Sequence, residues 1–252
     1  GGGCACVLIC IKVLEKYSGI EVLCLTKDKG GLLRSQVING FTFDVGGSHV
    51  IFSKDNCILN SILSLLRDNV VEHRRMSFIY LEEQLVPYPL ETGIWILPPY
   101  RRNKILHSFI ETLIERVKDE CWRPKTLREW IYAKFGGDLA KMYLEPYNEK
   151  IWKRSLDEIE PSWIVPGRLP LPNWKEIIKA GVGISTEGYK EQATFYYPLK
   201  GGIQALFDSA LRKAESLGAK IISNVYVNNI QRAKGLWIIN NRYKATKLIC
   251  LL

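Results

Sequence analysis

Three glycines open the chain, directly ahead of the apolar stretch CACVLICIKVLEKY at residues 4–17. Gly1, Gly3 and Cys6 fall in the three slots of a G-x-G-x-x-G turn, with cysteine in the third. Glycine is needed where such a turn bends sharply and where backbone approaches a diphosphate. The diphosphate then rests on the free N–H groups and the positive dipole end of the following helix. The third slot packs helix on sheet, and cysteine is small enough to occupy it with some loss of closeness. The acid that holds a ribose hydroxyl is expected about 20 residues further on. That position is Thr26, a weaker acceptor than a carboxylate, and the nearest acid is Asp28 in the next loop. Alone, the motif also fits an ordinary Gly-rich start to a buried helix.

Two further glycine pairs add to it. KGGLLRS (29–35) places Gly30, Gly31, Arg34 and Ser35 just past a short apolar run, where a second phosphate contact is wanted. Arg34 offers a bidentate guanidinium fork, or is simply a solvated loop arginine. FDVGGSHVIFS (43–53) sets Gly46 and Gly47 beside Ser48 and His49, which suits backbone lying against a flat ring. His49 is the titratable group closest to neutrality, and a structural, hydrogen-bonded role is equally open to it. Asp44 is placed to tie down its own loop.

Toward a substrate, Tyr147, Lys150 and Trp152 in YNEKIWK lie where a helix runs into a loop. Lys150 suits an anionic group and Trp152 a ring, although Trp152 also reads as a core anchor. Tyr196 and Tyr197 precede Pro198 and the Gly201-Gly202 pair, where the chain re-enters the glycine-bearing domain. They serve as a pocket wall or as an aromatic wedge.

The elements that must position these residues follow from periodicity and punctuation. Residues 4–17 read as a buried helix stopped by Ser18-Gly19, and 20–25 as a buried strand. Asn39-Gly40 and Glu82-Glu83 mark hairpin turns. Residues 55–66, 104–118, 126–135 and the first part of 138–152 read as helices. Another helix is expected over about 202–217, stopped by Gly218. Strands are expected at 219–223, 225–231 and 237–239, and a last one over 247–252. The expected domains are therefore 1–53 with 195–252, and an inserted, mostly helical domain over 54–194.

Among the 252 residues, 47% are hydrophobic and 24% charged, and no apolar run approaches the length of about 20 needed to cross a bilayer. The net charge of +9 is scattered rather than gathered into a stripe, so no nucleic-acid role is expected. The seven cysteines form no C-x-x-C pair and no zinc spacing, which points to free thiols, a reducing cytoplasm and no metal. A first residue that is not Met and a last run, LICLL, that reads as a truncated strand suggest a fragment.

Taken in order, GGG, VLCLTKDKGGLLRS, GFTFDVGGSHVIFS, YNEKIWK and YYPLKGGIQAL resemble the FAD-dependent amine oxidase and protoporphyrinogen oxidase-like superfamily, to which UDP-galactopyranose mutase is structurally related. The resemblance spans nearly the whole chain, as the N-terminal portion of a longer member. It implies an α/β fold: a Rossmann-type FAD/NAD(P)-binding domain with an inserted, mostly helical substrate domain. It also implies FAD as cofactor and a small-molecule substrate. Gly1 and Gly3 would then meet the pyrophosphate, and Gly30, Gly31 and Arg34 would form the second glycine motif. Gly46, Gly47, Ser48 and His49 would approach the flavin, and Val227 would lie on a strand whose backbone faces the adenine. Cys6 and Thr26 depart from the family pattern. Three readings stay open: flavin-dependent oxidation by hydride transfer, mutase chemistry on a sugar nucleotide whose diphosphate would need cations such as Arg74, Arg75, Arg101 and Arg168, and a truncated flavoprotein without activity.

Overall fold

The computed structural model of the chain describes residues 2–47, 49–118, 121–164, 173–186 and 194–251. They divide into two compact units, residues 1–74 with 194–252 and residues 75–193. Gly1, Ser48 and Arg168 lie outside the described residues.

In the first unit, helix α1 (Cys4–Lys16) buries Cys6, Val7, Cys10 and Ile11 along one stripe. Spacings of three and four residues place side chains on one helical face. Lys16 sits in the last turn, favourable to the dipole, and Gly19 turns the chain at φ 70°. Strand β1 (Leu23–Leu25) pairs in parallel with β8 (Lys220–Ile222), Cys24 opposite Ile221. Helix α9 (Gln204–Ser216) leads into β8 and packs on α1. Its Phe207, Ala210 and Ala214 share one core with Val7, Cys10, Ile11 and Cys24. Small residues at the crossing let the two backbones approach.

Strands β2 (Ser35–Ile38) and β3 (Phe41–Asp44) form the expected hairpin. Asn39 and Gly40 have φ of 51° and 84°, as a two-residue primed turn requires. Helix α2 (Asn56–Leu66) is capped by Asp55, whose Oδ1 accepts from Cys57 N (2.8 Å) and Ile58 N (3.1 Å). Strand β4 (Val71–Arg74) pairs antiparallel with β7 (Thr194–Tyr197). Leu66 packs with Ile51, Ile203 and Leu206. Through these contacts the first unit runs on to Arg74, past the expected boundary at residue 53.

The second unit begins with a hairpin, β5 (Phe78–Leu81) and β6 (Gln84–Pro87), turned by Glu82 and Glu83 at positive φ. The short α3 (Leu90–Gly93) and the long α4 (Pro99–Lys118) follow. Helix α4 starts five residues before the expected position, at a proline suited to the first helical turn. Next come α5 (Leu127–Phe135), α6 (Gly137–Leu139), a π-helical turn (Ala140–Leu144), α7 (Glu145–Trp152) and α8 (Trp174–Gly181). Leu90, Ile94, Phe109, Leu139, Leu156 and Ile177 form its core. Gly136 lies so close to the Phe109 backbone that a Cβ would stand 2.8 Å from Phe109 N.

Four expectations are corrected. The parallel ladder covers 23–25 and 220–222, shorter than the runs 20–25 and 219–223. Residues 225–229 are irregular, and the next strand, β9 (Ile230–Ala233), starts later. The amides of Asn228 and Asn229 donate to Asn240 Oδ1 (3.0 and 3.2 Å), so a side chain takes the place of a ladder. The meander closes with β10 (Leu236–Ile239) and β11 (Tyr243–Ala245) rather than with 247–252, where no described residue is in a strand. Lastly, Cys6 and Cys24 are joined as a disulfide rather than free, because the buried faces of α1 and β1 present them to each other. Among the described residues no helix is long and apolar enough to cross a membrane.

Candidate functional site

The first and second glycine motifs meet. Gly3 and Gly30 form an isolated parallel bridge, and Gly30 N donates to Gly2 O at 2.9 Å. A Cβ on Gly31 (φ 56°) would stand 3.2 Å from Gly3 Cα, so this crossing is a backbone-on-backbone contact. Gly2 is the tightest position of this crossing. A Cβ there would overlap Thr26 Oγ1 and the Asp28 carbonyl oxygen and lie 2.7 Å from Thr26 Cβ. Sequence reasoning gave the slots to Gly1 and Gly3 and passed over Gly2. The run of three glycines was the only signal, and it does not say which member is crowded.

Thr26 is buried, and its hydroxyl donates to Asp28 O at 2.7 Å. It braces the 26–30 loop beneath Gly2. The Thr26 amide continues the parallel ladder, donating to Ile222 O at 3.0 Å. Cys6, in the third slot, is turned into the core and bonded to Cys24. Gly3, the N-cap of α1, has no side-chain cap bond, and the first turn contains no acid. The first N–H groups of a helix have no intrahelical acceptor. This end of α1 is therefore positive and uncompensated by any side chain of its own turn.

The third glycine pair lies beside the second. A Cβ on Gly46 would come 2.5 Å from Leu32 O, and Val45 N donates to Arg34 O at 2.8 Å. Arg34 is exposed and donates Nε to Gly31 O at 3.0 Å. Gly47 has φ 92°, and its carbonyl oxygen stands 3.0 Å from His49 Nδ1. His49 thus ties back its own loop, the structural alternative left open by the sequence.

Asp44 gathers the rest. Its carboxylate accepts from Ser35 Oγ (2.7 Å), Tyr197 Oη (2.6 Å) and Ile203 N (3.1 Å). Ser35 also donates its amide to Gln204 Oε1 (2.9 Å), and its hydroxyl accepts from Gln204 N (3.2 Å). Asp44 and Ser35 together cap the start of α9 from a distant part of the chain. Gly202 (φ 63°) has no room for a side chain, since a Cβ would be 2.8 Å from Asp44 Oδ1. Burial raises the Asp44 pKa, but the bonds from Tyr197, Ser35 and Ile203 N outweigh it and hold the carboxyl below its ordinary range. Burial and the bond to Asp44 push the Tyr197 phenol up to about 12. Tyr196 points instead to Glu72, donating to Oε2 at 2.9 Å. The expected Tyr196–Tyr197 pair is thus split between two carboxylates of the first unit.

Tyr147, Lys150 and Trp152 are carried by α7 in the second unit. Arg128 anchors that helix, pairing with Glu145, with Glu149 (3.0 Å) and with Asp157 (3.0 Å). Tyr147 stacks on Tyr143, with centroids 5.0 Å apart. Burial is the main cause of a raised Tyr143 pKa, and the neighbouring Tyr147 adds to it. Trp152 meets Trp163 edge-on at 5.5 Å and is 44% exposed, so it is not a core anchor. Lys150 is exposed. Val227, expected on a strand, sits in the irregular 225–229 segment.

No protein-family model matches the chain. Among solved structures, 98% of the chain aligns with 52% of reduced UDP-galactopyranose mutase, at 21% identity and a TM-score of 0.78. A structure from an Exiguobacterium species, provisionally named a protoporphyrinogen oxidase, aligns over 98% of this chain and 56% of its own, at 16% identity and a TM-score of 0.62. An oxidoreductase from Methanosarcina mazei gives the same coverages and identity at a TM-score of 0.59. The chain spans about half the length of these structures. It shares their mixed α/β fold.

Proposed function

We propose that the first unit is a Rossmann-type FAD-binding domain and that the second is an inserted substrate domain of a flavin-dependent enzyme. One observation carries this reading: two glycine loops distant in sequence close on each other at the uncapped N-terminus of α1. Gly3, Gly30 and Gly31 bring main chain where the diphosphate would lie, and the dipole of α1 favours the negative charge. Arg34 adds a fork to the phosphate oxygens. The Thr26 hydroxyl proton is committed to Asp28 O, so the ribose contact falls to the exposed Asp28 carboxylate. Gly46, Gly47 and His49 form the edge facing the ring. Tyr147, Lys150 and Trp152 contribute to substrate binding, with two aromatic faces and one cation.

When bound, FAD supplies the acceptor for a hydride from a small-molecule substrate. The chain's own part is to hold the diphosphate, fix the loop beside the ring and limit access of water. No strong acid–base pair is required of it, in keeping with the residues gathered at the loops. A second reading has a specific observation behind it: the likeness to reduced UDP-galactopyranose mutase favours non-redox chemistry on a sugar nucleotide.

Arg34→Ala is expected to weaken flavin binding by about tenfold, the loss of one charge-assisted contact. Titration of flavin fluorescence reads it out, and unchanged affinity removes Arg34 from the site. Protein that purifies colourless and takes up no flavin on reconstitution overturns both readings. With flavin bound, turnover of a UDP-sugar only under reducing conditions, without net oxidation, selects the mutase over the oxidoreductase.

A further inference from the structure

A cavity of about 410 Å³ in the second unit lies apart from the glycine loops, which all belong to the first. Its volume is within the range of small-molecule sites, roughly 300–1,000 Å³. Arg101 and Lys104, three residues apart on α4, present two cations to it, and Lys141 on the π-helical turn adds a third. Two carboxylates answer them. Glu82 of the hairpin turn pairs with Arg101, and Asp138 lies 3.2 Å from Lys104 Nζ. One positive charge is left over. The first turn of α4, which contains Arg101, adds the positive end of a helix of 20 residues. The lining also includes Leu81, Ile105 and Met142, an apolar patch beside the charges.

The Arg101–Glu82 pair is incomplete. Arg101 Nε is buried without an acceptor, and an unsatisfied buried donor is costly. Any ligand with more acceptor oxygens than one carboxylate competes well for this guanidinium. A carboxylate ligand has only two oxygens to share among the three cations. Three cations brought in from two elements suit a tetrahedral group with three outward oxygens. The π-helical turn is also a feature that recurs at functional sites.

We propose that this cavity binds a small phosphate monoester, its phosphate held by Arg101, Lys104 and Lys141 and its carbon portion on Leu81, Ile105 and Met142. The assignment does not depend on the flavin reading.

The test is calorimetric titration of the full chain with glycerol 3-phosphate, with sodium acetate at matched ionic strength as control. Saturable heat is expected from the phosphate ester and none from acetate. Lys104 and Lys141 are exposed, so Lys104→Gln/Lys141→Gln leaves the core untouched. That double variant should raise Kd at least about tenfold, and Lys141→Gln alone should move it in the same direction. Arg34→Ala, in the other unit, should leave it unchanged. Absence of saturable binding by the parent chain, equal affinity in the double variant, or loss of binding in Arg34→Ala alone overturns the proposal.

Discussion

Gly2→Ala is expected to destabilise the first unit by about 3 kcal/mol, at the upper end of the usual cost of overpacking. Gly2 does not need an unusual φ. It needs space, because the added methyl would meet the Thr26 side chain and the Asp28 carbonyl. Neither neighbour can yield cheaply. Thr26 is buried between the parallel ladder and its own bond to Asp28 O, and the carbonyl is backbone. Relief must come from parting the 2–3 and 26–31 loops, which breaks the Gly30 N to Gly2 O bond and opens the crossing at Gly3. Urea unfolding of the variant should show a lower midpoint together with lost flavin binding. A midpoint and affinity like those of the parent would mean the two loops do not form one cradle. Thr26→Ala removes the Oγ1 that the added methyl would meet first, so combining it with Gly2→Ala should recover part of the loss.

Asp44→Ala should cost about 2–4 kcal/mol, because the Tyr197 hydroxyl, the Ser35 hydroxyl and the Ile203 amide all lose their acceptor. Asp44→Asn keeps one carbonyl oxygen and should cost less. The pH dependence has a definite sign. The folded-state pKa of Asp44 is depressed, so its contribution is present above the unfolded carboxylate value of about 3.9 and is lost as pH falls through the lower folded value. Removing the carboxylate should therefore flatten the acid limb of the stability curve below about pH 4. Tyr197 works at the other end. Its pKa is raised, so its contribution is complete below about 10 and disappears as pH rises toward about 12. Tyr197→Phe should flatten the alkaline limb fully and the acid limb in part, because the Tyr197 bond is one of those that depress the Asp44 pKa. Thermal unfolding from acid to alkaline pH separates the two, and parallel curves for parent and Asp44→Asn would sink the account.

Local chemistry made much of this legible in the sequence. Asn39-Gly40 names its hairpin because only residues tolerant of positive φ close a two-residue primed turn. Glu82-Glu83 was readable from the apolar runs around it, although neither residue favours that φ. Helices α1, α2, α4, α5 and α9 announced themselves through apolar spacing, whereas α3 and α8 were not expected. What stayed hidden was long-range. Nothing near Asp44 says that Tyr197 and Ile203 will arrive there. Nothing near Gly2 says that Thr26 will press on it. Val227 failed for a different reason: YVNNI looks extended, but Asn240 takes up amides that a strand would offer to a neighbour. The cysteines misled because pattern rules weigh spacing along the chain, and Cys6 and Cys24 are neighbours only across the helix–strand packing.

The parallel ladder joins Leu23 to Lys220, nearly opposite ends of the chain. Parallel pairing of such remote segments is slow, since closure entropy must be met before any contact forms. A ribosome therefore releases strand β1 and its glycines long before their counterpart exists, while residues 75–193 can already condense around Phe109 and Leu139. Strand β1, made long before β8, is among the last elements to acquire its final shape.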